Sequence, residues 1–304
     1  MPASIHRLAG IVLGSVACAV LAVAQPTLAQ DGPSRGDGPP RLPMTMAADP
    51  RTQELSYTFA PTGEEMKYTL FVSSKVKPDV PAPLIVALHG MGGDSKFIAR
   101  ERLIDLAEEG GYVVVAPMGY NTVGWYGSPV IVMGGGTPNP ANLTELSELD
   151  VMTVTQIARS AFNIDPNRMY LMGHSMGGAG TLFLGQKHAE YWAAIAAIAP
   201  AAFMMQPKQK DILAPLKAAK IPVMITEGSI DNVVPPESVR TWAAAASELG
   251  MVHEYIEIEG MDHGTIIGAS MPEIFRFFGE HKRTPPPPPS FGPGGGPPPA
   301  PPSS

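Results

Sequence analysis

Tyr170 to Gly178 reads YLMGHSMGG, an apolar run that breaks off at a serine set between glycines in the pattern G-x-S-x-G. Arg168 to Met172 has the continuous apolarity of a buried strand, and Met176 to Lys187 has the spacing of a helix. A strand that turns at once into a helix strains the residue at the bend. Gly173 and Gly177 flank Ser175 because a larger side chain there would clash in so tight a turn. The turn is expected to lift the Ser175 hydroxyl above the sheet.

Short apolar runs alternate with helical patterns on both sides of that turn. Strands are predicted at Leu84 to Leu88, Tyr112 to Ala116, Ala194 to Ala199, Val223 to Thr226 and Glu254 to Ile258. Helices are predicted at Phe97 to Glu109, Leu149 to Phe162, Ile212 to Ala219, Pro236 to Leu249 and Met271 to His281. This is an α/β pattern, a doubly wound and mostly parallel sheet covered on both faces. Glu54 to Phe59 and Tyr68 to Ser73 alternate as an antiparallel N-terminal edge pair would. In such sheets the working residues gather at the carboxyl ends of strands.

The two ends of the 304-residue chain are not core material. His6 and Arg7 lead into an apolar run from Leu8 to Val23 with an Ala-x-Ala exit at Ala22 to Ala24, so residues 1–24 read as a secretory signal, with a second possible cut after Ala29. That run is about 16 residues, short of the roughly 20 a spanning helix needs, and no stable membrane insertion is expected once it is removed. The product is expected to be secreted or periplasmic. The single cysteine, Cys18, lies inside this run, so the mature chain is expected to hold no disulfide and no thiolate site; a lipid anchor at Cys18 is disfavoured because Ser15 stands where a leucine-like residue is usual. Residues 31–44 read as a flexible linker, and 284–304, nearly all Pro, Gly and Ser, as a disordered tail whose partner is unknown. One catalytic-sized domain remains, residues 45–283. The net charge is -7 and becomes more negative when Arg7 is lost, and no run of five basic residues occurs, which argues against nucleic acid as a partner.

An alcohol is a weak nucleophile until a neighbouring base takes its proton and a third group orients that base. Ser175 therefore needs partners. Of seven histidines, His6 leaves with the signal, His174 adjoins the serine and is expected to point away, His188 and His281 sit near helix ends, and His253 precedes its strand. His263 follows the last strand, in the loop GMDHG, at the end where the site must be. The acid is expected from VMITEGSIDNVVP, Val223 to Pro235, where Asp231 follows a strand in a polar turn; Glu227 is the second choice, and Asp262 is a rival too close to His263 in sequence to align with it. After Leu84 to Leu88 comes HGMGG, His89 to Gly93, a turn whose backbone amides can approach a developing oxyanion; the amides of Met91 and Met176 are the expected donors. Between Pro117 and Leu149 runs a long segment rich in Gly, Pro and Asn that holds Tyr120, Trp125 and Tyr126. A loop of that length is usually functional or disordered, and it is expected to wall the substrate pocket, with Trp125, Tyr126 and His89 as substrate-binding candidates and core packing an open alternative for Trp125.

The stretches HGMGG, DPNRMYLMGHSMGG, GSIDNVVP and GMDHG resemble the secreted α/β-hydrolases related to polyhydroxybutyrate depolymerases, feruloyl esterases and the catalytic domain of prolyl oligopeptidases. The order Ser175, Asp231, His263 is that of the α/β-hydrolase fold. The resemblance implies a serine esterase that cleaves a small-molecule or polymeric carboxylic ester through an acyl-enzyme, without metal or organic cofactor. Because the pathway needs a neutral imidazole, activity is expected to fall below about pH 6. Two rival functions are a serine peptidase of prolyl oligopeptidase type, disfavoured because about 50 preceding residues cannot supply that type's extra domain, and a non-catalytic binding protein with a hydrolase fold.

Overall fold

The structure, a computed structural model, describes residues 47–283. The expected signal, linker and tail lie outside the described residues, as does Cys18. An eight-stranded sheet runs in the order β1-β2-β4-β3-β5-β6-β7-β8. Its strands are β1 (Gln53–Phe59), β2 (Glu64–Val72), β3 (Ala82–Leu88), β4 (Val113–Pro117), β5 (Ile164–His174), β6 (Ala194–Ile198), β7 (Val223–Gly228) and β8 (His253–Ile258). From β4 to β8 every pairing is parallel, while β1 pairs antiparallel with β2 and β2 with β4. The mostly parallel sheet with an antiparallel N-terminal edge pair is thus as expected.

Continuous apolarity follows from cover on both faces. Along β3, Leu84, Val86 and Leu88 pack into one core and Ile85 and Ala87 into the other, because successive side chains of a strand point to opposite faces. The first core lies under α3 (Leu143–Ala161), α4 (Met176–Lys187), α5 (Gln209–Ala218) and α6 (Pro236–Leu249). The second lies under α2 (Glu101–Gly110) and α7 (Thr265–Glu280), with the short α1 (Ser95–Ile98) beside β2. Among the described residues no helix is long and apolar enough to cross a membrane.

Helices α4 and α6 begin and end where the spacing predicts; the other four do not, α5 starting at Gln209 rather than Ile212. The helix expected over Phe97 to Glu109 is two: Asp94 caps α1 through the amides of Lys96 and Phe97, the chain breaks at Ala99, and α2 restarts with Glu101 in a left-handed conformation. Helix α3 starts six residues before the expected Leu149, because Leu143 and Leu146 continue its buried stripe. Helix α7 starts at Thr265 rather than Met271 even though Pro272 lies inside it. A proline removes the bond to the carbonyl four residues back; here that residue is the exposed Gly268, whose carbonyl can turn to water.

The strand order reverses at β3, with β4 on one side and β5 on the other. Such a reversal opens a crevice at the carboxyl ends of the strands. The HGMGG turn leaves β3 and Ser175 leaves β5, so both arrive at that crevice.

Candidate active site

Ser175 stands at the joint of β5 and α4 with φ 58 and ψ -115, a left-handed backbone that a residue with a Cβ adopts at a cost of about 1–3 kcal/mol. Surrounding bonds over-determine it. Its amide donates to the Ile198 carbonyl at 2.9 Å, and its carbonyl accepts from Ala179 and Ala201, each at 3.0 Å. The glycines make the turn possible: a Cβ on Gly173 would lie 2.3 Å from the Gly177 carbonyl oxygen, and one on Gly177 would lie 2.3 Å from the Leu88 carbonyl oxygen. Helix α4 therefore presses on β3, and the residue is left only 8% exposed at the crevice.

His263 reaches this hydroxyl from the loop after β8. Its Nε2 lies 2.9 Å from Ser175 Oγ and its Nδ1 lies 2.6 Å from Asp231 Oδ2, so the imidazole bridges the two residues. The Asp231 side chain is fully buried, and its Oδ1 accepts the amides of Val233 at 2.7 Å and Val234 at 2.8 Å. Three N–H groups thus hold one carboxylate in a fixed rotamer. Gly228 permits the approach of the two loops, since a Cβ there would sit 2.2 Å from the Met261 carbonyl oxygen. Asp262, the rival acid, instead accepts the amides of Gly264 and Thr265 and the Thr265 hydroxyl, and so opens α7.

The model of the esterase family matches residues 60–263, which include every residue of this cluster. The chain belongs to the esterase family. The chain is similar to Feruloyl esterase B of Neurospora crassa, at 30% identity over 118 residues that make up 38% of this chain and 37% of that protein. It is also similar to the S-formylglutathione hydrolase of Rattus norvegicus, at 27% identity over 161 residues, 48% of this chain and 57% of that one. The chain spans about half the length of the curated relatives it matches. A solved thermostable esterase superposes with a TM-score of 0.60 at 26% identity, covering 77% of this chain and 64% of that one. Strand order and this likeness together give the α/β-hydrolase fold.

The HGMGG turn abuts the serine: a Cβ on Gly90 would lie 3.4 Å from the Ser175 Cβ. Neither the Met91 nor the Met176 amide has a hydrogen-bond acceptor among the described residues. Met91 is 42% exposed while Met176 is buried.

One expectation about side chains needs correction. Trp125 (3% exposed), Tyr126 and His89 are buried core residues rather than surfaces for a substrate. The Tyr126 ring fills the space above Gly119 and Gly180, its hydroxyl donates to the His89 carbonyl at 3.1 Å, and the His89 ring spans the Gly90 and Met118 carbonyls at 2.8 and 2.9 Å. Burial lowers the His89 pKa and keeps it neutral. These groups brace the HGMGG turn from behind. The segment after β4 does reach the HGMGG turn, where the Gly92 amide donates to the Thr122 carbonyl at 2.8 Å; a separate cavity of about 280 Å³, walled by Ile98, Arg102 and Leu103 on one side and by Gly264, Ile267 and Met271 on the other, is lined by none of Ser175, Asp231 and His263.

His174 was expected to point away from the serine, and its ring instead packs on His263 with centroids 4.5 Å apart and its Nε2 donates to the His263 carbonyl at 2.7 Å. Burial, with the neighbouring His263, pushes its pKa down to about 3, so no second cation stands beside the base. Asp150 was not anticipated at all. It is a buried carboxylate on the apolar stripe of α3 that accepts the Gly119 and Tyr120 amides at 2.6 and 3.2 Å and the Tyr57 hydroxyl, and burial raises its pKa to about 6. An acidic residue in step with Leu143, Leu146 and Val154 was the available signal.

Proposed function

We propose that the protein is a serine hydrolase of carboxylic esters, with Ser175 as nucleophile, His263 as general base and acid, and Asp231 as the carboxylate that orients the imidazole. The observation that carries this reading is the continuous hydrogen-bonded line from Ser175 Oγ through both nitrogens of His263 to Asp231 Oδ2.

Chemistry along that line runs as two acyl transfers. His263 Nε2 takes the hydroxyl proton as Ser175 Oγ attacks the ester carbonyl carbon, and Asp231 stabilises the imidazolium that forms. The amides of Met91 and Met176, both without other acceptors, receive the developing oxyanion; each such donor is worth about 3 kcal/mol in the transition state. The tetrahedral species collapses, the C–O bond to the alcohol breaks, and the alcohol leaves with the proton from His263. Water then attacks the acyl-enzyme by the same route and the carboxylic acid departs.

A fluorophosphonate probe is expected to label Ser175 in the wild-type protein and not in Ser175→Ala. Paired ester and amide substrates with a common acyl group are expected to show turnover of the ester. Probe labelling without ester turnover would defeat the esterase reading in favour of another acyl transfer, and no labelling at all would defeat the nucleophile. We also propose export, secreted or periplasmic, on the strength of residues 1–24; an intact Met1 on protein recovered from the producing cells would overturn it.

A further inference from the structure

We propose that Glu227 is a positioning residue of this site: a buried carboxylic acid that keeps its proton and donates it in a hydrogen bond to Asp231, fixing the carboxylate on which His263 leans. The inference rests on the reading of Ser175, His263 and Asp231 given above.

Glu227 is the penultimate residue of β7 and fully buried. Its Oε1 accepts the Gly228 amide at 2.8 Å, and its Oε2 is buried with no donor to meet it. Asp231 turns back on this end of β7, its amide donating to the Gly228 carbonyl at 3.1 Å, which brings its carboxyl against Glu227. Two ionised carboxylates offer each other only acceptors, so the contact requires a proton on one of them. Asp231 accepts three N–H groups, from Val233, Val234 and His263, whereas Glu227 accepts one. The negative charge settles where the donors are, which leaves the proton on Glu227. An Oε2–H then satisfies the orphaned oxygen and fills the remaining acceptor site of Asp231, since a carboxylate has about four.

The surroundings favour the same assignment. Glu257 on β8 lies beside Glu227 in register, but its charge is engaged by Arg240 of α6 at 2.9 and 2.6 Å and by the Tyr255 hydroxyl at 2.7 Å. Arg240 is therefore committed to another carboxylate. Burial first, then the charges of Asp231 and Glu257, push the Glu227 pKa up to about 8, against the opposing Gly228 amide. The site thus holds two carboxyls with divided roles, one charged to receive the imidazole N–H and one neutral to lock the first in place. A group acting through a second residue in this way contributes about 10- to 100-fold where comparable supporting bonds have been removed.

Three readouts on the full-length protein test this. The first is a carbon-13 titration of the Glu227 carboxyl, its signal assigned by its absence in Glu227→Gln. The second is kcat and KM for a chromogenic ester across the pH range, in wild type, Glu227→Gln and Glu227→Leu. The third is the downfield resonance of the His263 Nδ1 proton. A carboxyl midpoint near 8 is expected, as the raised pKa requires. Gln, which keeps a neutral N–H donor, is expected to hold kcat within about threefold, while Leu lowers kcat about tenfold or more with KM within about twofold and weakens the His263 resonance. A midpoint below about 6, or a folded Leu variant with wild-type kcat, would overturn the proposal. Should Leu fail to fold, the carboxyl midpoint and the Gln variant still decide. If wild type turns over no ester, the proposed function falls, and the carboxyl midpoint alone then supports or overturns the shared proton.

Discussion

Replacing Gly177 with alanine adds one methyl group at the point where α4 presses on β3, and its cost can be worked from the distances. The new Cβ would sit 2.3 Å from the Leu88 carbonyl oxygen and 2.7 Å from both the Leu88 carbonyl carbon and the His89 carbonyl oxygen. All three are backbone atoms, so no side-chain rotation relieves the clash, and the helix and strand must part by roughly 1 Å to reach ordinary contact. Overpacking of this kind costs about 1–3 kcal/mol or more, against a helix-propensity gain of at most about 1 kcal/mol, for a net loss near 2 kcal/mol. In a domain of this size that is a fall of about 4–8 °C in Tm. The same displacement separates the Met91 amide from Ser175, and a misplacement of about 1 Å costs on the order of 100-fold in kcat. Two other helical glycines serve as controls. At Gly185 the added Cβ meets side-chain atoms alone, the flexible Cδ1 of Ile195 at 2.7 Å and then Ile195 Cγ2 and Leu216 Cδ2 at 3.4 and 3.6 Å, and at Gly268 it meets nothing within 4 Å. Gly185→Ala is expected to fall within about 1 kcal/mol of wild type and Gly268→Ala to gain about 0.5–1 kcal/mol. Calorimetry and steady-state kinetics on the three variants test the ordering. A Gly177→Ala protein with wild-type Tm and kcat would refute the close-approach argument.

The strained backbone at Ser175 predicts that Ser175→Gly is more stable than Ser175→Ala by about 1 kcal/mol, strain relief of about 2 less roughly 0.75 for glycine entropy, measured by urea unfolding; a less stable glycine variant would contradict the strain. Asp231→Asn is expected to lower kcat about 10⁴-fold with little change in KM, because an amide presents the wrong partner to His263 Nδ1–H, and a loss under tenfold would remove Asp231 from the relay. Glu227 keeps its proton to about pH 8 in the folded protein whereas an unfolded glutamate releases it near 4.5, so its contribution to stability is complete below the unfolded value and is lost as pH rises through about 8. The urea midpoint of Glu227→Gln is therefore expected to gain on wild type from pH 5 to 9, and a gap that does not change with pH would count against the buried proton. Tyr126→Phe removes the hydroxyl bond to the His89 carbonyl and is expected to cost about 1 kcal/mol, read as a drop in Tm; an unchanged Tm would deny that Tyr126 braces the turn.

The sequence by itself determined the sheet, the serine turn and the chain order of the three polar partners. Those features are local: apolar runs of strand length, glycines on both sides of a strained residue, and polar turns directly after strands each leave their mark on adjacent residues. The expected triad is brought together as a hydrogen-bonded line, since a parallel sheet delivers the carboxyl ends of β5, β7 and β8 to one edge whatever lies between them. What only the tertiary structure decided is which face a side chain takes and what it meets there. Trp125 and Tyr126 sit in a polar, glycine-rich segment that reads as a surface loop, yet the missing side chains at Gly119 and Gly180 open a slot that draws Tyr126 inside. Asp262 and Asp231 are alike in sequence, and only their positions relative to the imidazole and to the first turn of α7 separate capping from the relay. His174, Asp150 and Glu227 owe their states to burial and to partners brought from distant elements, and neither burial nor a neighbour's charge is written in the residues beside them.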